Sequence, residues 1–232
     1  LTACTEAVDQ NSTAQKTLAK ALADAKSAQS ITADQVADGA TIDTLKKAIA
    51  AVKNVEAVEC KTSASTSDLQ EYAKTATSQT KTAKKNATAI TAAAKAVTDS
   101  KNAKDQANAQ QALQGKIAEA QTLLDNSLYA VDDNSTRVTL ESDIANANTV
   151  LSQQGTDVKA MQDAVNTLTA SMDAVNTSMA NYSAAVEAQR EAARQKALND
   201  YYARLRQQQL LQQQQQTQPG VTDPDGTAQT EP

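Results

Sequence analysis

The sequence contains no histidine, no tryptophan and no phenylalanine, and only two cysteines. Without histidine, no Ser/His/Asp or Cys/His nucleophile can be assembled and no His-containing zinc site can form. Two thiols cannot close a four-thiolate site either. Proline is confined to Pro219, Pro224 and Pro232, and the first 218 residues hold only Gly39, Gly115 and Gly155. A strand-rich chain would need turn residues every ~8 to 12 positions and more aromatic and β-branched side chains. No run approaches the ~18 consecutive apolar residues of a membrane-spanning helix, so no transmembrane segment is expected. The net charge is only -5, and no basic block is interleaved with aromatics, so nucleic acid is not an expected partner.

What the chain does have is alanine, the strongest helix former, at 47 positions. Leu, Ile and Val together occupy 36 positions, a share low enough to raise disorder, but the high net charge that accompanies disorder is missing. The composition therefore predicts an all-α chain. Sliding the sequence along itself by 95 residues sets Leu18, Leu22 and Ala25 on Leu113, Ile117 and Ala120. The same shift sets Thr44, Leu45, Ile49 and Ala50 on Thr139, Leu140, Ile144 and Ala145. A third helix follows in each half. From Leu69 its seam runs Ala73, Ala76, Thr80, Ala83, Ala87, Ile90, Ala94, Val97, in alternating steps of four and three. A shift of 92 lays that seam on Met161, Val165, Leu168, Met172, Val175, Met179, Tyr182 and Val186.

The expected architecture is two tandem antiparallel three-helix bundles joined by a long helix, because one amphipathic helix cannot bury its own stripe. Residues 1–100 form the first bundle and 101–186 the second. Residues 187–216 form a projecting Gln-rich helix and 217–232 a disordered tail of Pro, Gly, Thr, Asp and Glu. Between Val97 and Leu113 no breaker interrupts the helix, so the two bundles share a rod. Ser67-Asp68-Leu69-Gln70 fits a capping box at the start of the third helix. Asp132 to Thr136 and Gly155 to Asp157 read as cap and turn material.

Cys4 and Cys60 are open to two leading readings, with unrelated thiols as the third. One pairs them as a disulfide: Cys4 begins the first helical stretch and Cys60 closes the second, at the same end of a hairpin. The other reads Leu1-Thr2-Ala3-Cys4 as a lipobox with Cys4 acylated, in a chain that starts with Leu and is therefore a processed product or a fragment. Both place the protein outside the cytoplasm, secreted or attached to the cell surface. The second copy has no cysteine pair, since Cys4 and Cys60 fall on Asp99 and Gly155 at the shift of 95.

No catalytic residue, cofactor site or metal site is expected. Asp132 with Asp133 is the tightest acidic pair, and it reads as a helix cap rather than an acid/base couple. Lys84 and Lys85 lie in a basic stretch from Lys74 to Lys104, read as a solvated face with anionic wall polymers or lipid headgroups as its alternative contacts. Tyr72, Tyr129 and Tyr182 are expected in the core or at its rim. Leu198, Tyr202 and Leu205 restore one apolar edge on the last helix, which reads either as a fraying helix or as a contact for a partner helix or a second copy.

The pattern Leu-x3-Leu/Ile-x2-Ala (Leu18, Leu22, Ala25; Leu113, Ile117, Ala120), then Leu-x3-Ile (Leu45, Ile49; Leu140, Ile144), then a heptad third helix, resembles the FIVAR repeats of Gram-positive surface proteins. The resemblance covers most of residues 14–186 and is closer over Ala109 to Tyr182. It implies three-helix modules strung along secreted or wall-associated proteins, as spacers or as binders of wall or host matrix components. It carries no catalytic motif. The function expected from these features is a non-catalytic extracellular structural or spacer module. An adhesin-like binder of cell-wall glycan or a host surface protein is the alternative.

Overall fold

The computed structural model describes residues 1–153, 155 and 157–216; the expected tail lies outside these residues. The fold is all-α, with no strand among the described residues. Among the described residues six α-helices follow in order: α1 (Thr2–Asp24), α2 (Lys26–Gln29), α3 (Ala40–Ala50), α4 (Thr66–Asn126), α5 (Asn134–Ser152) and α6 (Val158–Gln216), with a 3-10 turn at Ala33–Gln35. Helix α4 runs unbroken for 61 residues, through the region where no breaker was found and through Gly115.

The chain divides into two compact units. The first comprises Leu1–Ala120 and Ser142–Thr169; the second comprises Gln121–Glu141 and the described residues from Ala170. In the first unit α1 buries Cys4, Ala7, Asn11, Ala14, Leu18 and Ala21, a 3/4-spaced stripe that keeps to one face of the helix. Ala14, Leu18 and Ala21 join Val36, Ile42 and Leu45 with Ala83, Ala87, Ile90 and Val97 of α4 in one apolar cluster. Below Ala14 and Ala83 the buried positions are Cys4, Ala7, Asn11, Ala76 and Thr80, all small or polar. That end of the unit lies outside the apolar cluster.

Two expectations change here. Helix α3 ends at Ala50, so Cys60 does not close a helix; it lies in a non-helical segment that continues to Ser65. Val52, Asn54, Val55 and Val58 are poor helix formers, the valines because their branched Cβ loses rotamer freedom in a helix. Helix α4 begins at Thr66, and its capping box uses Ser65 and Asp68 rather than Ser67 and Gln70. The Asp68 amide donates to Ser65 Oγ (3.1 Å) and the Ser65 amide to Asp68 Oδ2 (3.2 Å).

The register of the third helix also changes. In the first unit the amides of Ala37 and Asp38 donate to the carbonyl (3.1 Å) and hydroxyl (2.8 Å) of Ser100. In the second unit the amides of Asp132 and Asp133 donate to the same two groups of Ser178, at 3.1 and 2.8 Å. Asp38 and Asp133 are 95 residues apart, but Ser100 and Ser178 are 78 apart, so the third-helix correspondence is 78 and not 92. Burial agrees: Ala83, Ile90, Ala93 and Val97 fall on Met161, Leu168, Ser171 and Val175, all buried. The first copy therefore carries two extra heptads, residues 66–79, at the start of its third helix.

The second unit is organised by its turn. Arg137 donates from Nε to Ser127 Oγ (3.0 Å) and from Nη2 to the Leu124 carbonyl (3.1 Å), satisfying one of the orphan carbonyls that end α4. Tyr129 sits at that turn with φ of 60° and is 86% exposed, so it is neither core nor rim; Tyr72 and Tyr182 also reach solvent.

Candidate functional site

The structure brings Cys4 and Cys60 together at disulfide distance, with Cα atoms 6.0 Å apart. Cys4 is buried within the first turn of α1. A sulfur bonded to Cys60 cannot also carry a thioether-linked lipid, so the disulfide and lipidated states of Cys4 exclude each other in one molecule. A disulfide is compatible with an extracellular protein.

Around this clamp lies a polar relay not anticipated from the sequence. Asn11, buried on α1, donates from Nδ2 to Gln79 Oε1 (2.7 Å), and Gln79 Nε2 donates to the Glu56 carbonyl (3.0 Å) in the non-helical segment. Gln15 Nε2 donates to Asn11 Oδ1 at 3.3 Å. A buried amide must be paired to be tolerated, and here its pairing ties the segment to two helices at once. The available signal was a polar residue interrupting the stripe Cys4, Ala7, Asn11, Ala14.

The other expected residues, Tyr129 aside, lie at caps, rims or exposed faces, with one exception. Asp133 caps α5: its carboxylate accepts from the Ser135 amide and hydroxyl, both at 2.8 Å. Those hydrogen bonds, the Ser135 side chain first, hold its pKa below the usual carboxylate value. Asp157 likewise accepts from the Ala160 amide (2.7 Å) at the start of α6. The exception is the last helix, where Leu198, Tyr202 and Leu205 form one exposed edge, joined by Tyr201, whose ring packs edge-on against Tyr202 at 5.7 Å. Every residue from Glu187 to Gln216 is exposed.

Among the described residues, no group of three or more Cys, Asp or Glu is placed to hold a metal ion, and no helix is long and apolar enough to cross a membrane. No protein-family model matches the chain, and neither a curated protein nor a solved structure matches it. The resemblance to FIVAR repeats therefore rests on the residues quoted for it.

Proposed function

We propose that the chain is a non-catalytic structural module of a Gram-positive cell-surface protein, built as two tandem FIVAR-like antiparallel three-helix bundles on a shared helix. The observation that supports this reading best is the unbroken course of α4 through the junction between the two copies. Helix α4 contains no Pro and no Gly pair, two of the usual causes of a kink. The disulfide supports the extracellular setting. The alternative, a binding module for cell-wall glycan or a host matrix component, draws on the exposed edge at Leu198, Tyr202 and Leu205.

The continuity of α4 is tested by spin labels on exposed Ala89 and Gln121, one in each unit, with the native disulfide kept oxidised. A straight helix places these backbone positions about 48 Å apart, at 1.5 Å per residue. A single narrow distance distribution near that value supports a rigid spacer. A broad distribution, or one centred well below it, sinks the reading.

A further inference from the structure

From Tyr72 to Val97 and on to Thr98 the sequence holds no acidic residue, in a chain whose net charge is negative. Within that stretch Lys74, Thr77, Lys81, Lys84, Thr88, Thr91, Lys95 and Thr98 recur at steps of three and four, which puts them on one face of α4. All eight are exposed. The face borders a groove of about 620 Å³ between α4 and α1. Lys84 and Lys95 line it from α4 and Lys20 from α1, over a floor that includes Ala21, Ala87 and Ala92. The alanines leave the floor low enough for a chain to lie against it.

The lysines are free to meet an external anion. Lys74, Lys81 and Lys84 have no ion-pair partner among the described residues. Lys20 and Lys95 pair with Asp24 and Asp99 at i+4, but those side chains are 59–74% exposed, and such solvated pairs yield readily to a competing anion. Among the described residues Asp24 is the one carboxylate that lines the groove.

We propose that this face binds a linear phosphate polymer. The geometry favours a polymer over a single anion. Lys74 to Lys95 spans about 32 Å of helix axis at 1.5 Å per residue, so one phosphate can meet only one or two lysines. An extended polyanion meets them in succession and gains by releasing its condensed counterions. The groove offers no aromatic platform on which bases could stack, which directs the site to the phosphate backbone and not to nucleobases. The proposal stands whether or not the module acts as a spacer.

The test uses long-chain inorganic polyphosphate, end-labelled for fluorescence anisotropy, against the oxidised chain at several salt concentrations. Binding is expected to weaken steeply with salt. The variant Lys81→Gln/Lys84→Gln/Lys95→Gln should lose at least about tenfold in affinity at low salt and show a shallower salt dependence. The charge-matched control Lys46→Gln/Lys47→Gln/Lys53→Gln, which leaves the groove intact, should bind as the unaltered chain does. All substituted side chains are exposed, and unchanged helical circular dichroism verifies the fold. Equal loss in both variants would mean non-specific attraction and overturn the proposal, as would no binding at about 50 mM salt, where such contacts are strong.

Discussion

Removing the Cys4–Cys60 bridge should loosen one end of the first unit before it unfolds the rest. The bridge closes a span of 56 residues, for which the loop-entropy relation gives about 4 kcal/mol. That figure is a ceiling, because the reduced native state can relax. What else holds the non-helical segment is modest: Val52 and Val58 are only partly buried, and the Gln79 bond to Glu56 contributes about 1 kcal/mol. Ordering ten residues of backbone costs roughly 10 kcal/mol or more, so the segment is not kept in place by its own contacts. Cys4→Ala/Cys60→Ala should therefore lower stability by about 2 to 4 kcal/mol in urea unfolding. Hydrogen exchange locates the loss. The helical amides of residues 5–12 and 69–80 should lose protection at least about tenfold more than those of residues 18–22 and 87–97, which lie in the apolar cluster. A uniform loss across both sets would show a single cooperative block and refute the reasoning. A stability change below about 1 kcal/mol would refute the magnitude.

Gln79→Ala should destabilise the oxidised protein by about 1 to 3 kcal/mol, since it leaves Asn11 Nδ2 without its acceptor; a double-mutant cycle with Asn11→Ala should give a coupling above about 0.5 kcal/mol. The acid limb of the pH dependence follows from Asp34, whose carboxylate is held low by its hydrogen bond from Thr32, and from Asp133. Each pKa is lower folded than unfolded, so each contribution is complete above the unfolded value and is lost as pH falls through the folded one. Melting temperatures should hold between about pH 5 and 8 and drop below about pH 4, with a smaller acid drop in Asp133→Asn. If the edge on α6 is a self-contact, sedimentation should show mass rising with concentration. Leu198→Ala/Tyr202→Ala/Leu205→Ala would then abolish that rise, whereas a strict monomer at high concentration discards self-association.

The helical class was legible because nothing in the first 218 residues competes with alanine. The correspondence of the first two helices was legible too, because Leu18, Leu45 and their counterparts are sparse, large markers in a polar background. The third helix was misaligned for a physical reason. A heptad seam maps onto itself under any slide of seven residues, so apolar spacing alone cannot distinguish a shift of 92 from one of 78. Only the polar anchors Ser100 and Ser178 break that degeneracy, and a serine on a seam looks like any other small residue until its partner amides are seen. The end of α3 was hidden similarly, since Ala51 to Cys60 lacks Pro and Gly and stops being helical without punctuation. Of the basic stretch, the lysines were visible, but Lys20 on the far wall of the groove was not, because only folding brings α1 alongside α4.

The two copies reach a defined arrangement by different means, and the difference follows from the two extra heptads. Residues 66–79 of α4 bury Ala76 and little else, so this extension of the first copy is backbone to be ordered with no apolar cluster to order it. Such an extension is stable only if some other interaction offsets the conformational entropy. The bridge does so by restricting the unfolded chain, and the Asn11–Gln79–Glu56 relay fixes which face the segment lies against. At the corresponding register the second copy begins its third helix at Val158 with Met161 and Leu168 already buried, and it has no such end to secure. The absence of cysteines from the second copy is thus the expected counterpart of its shorter third helix, and transplanting a cysteine pair there would have no loose end to clamp.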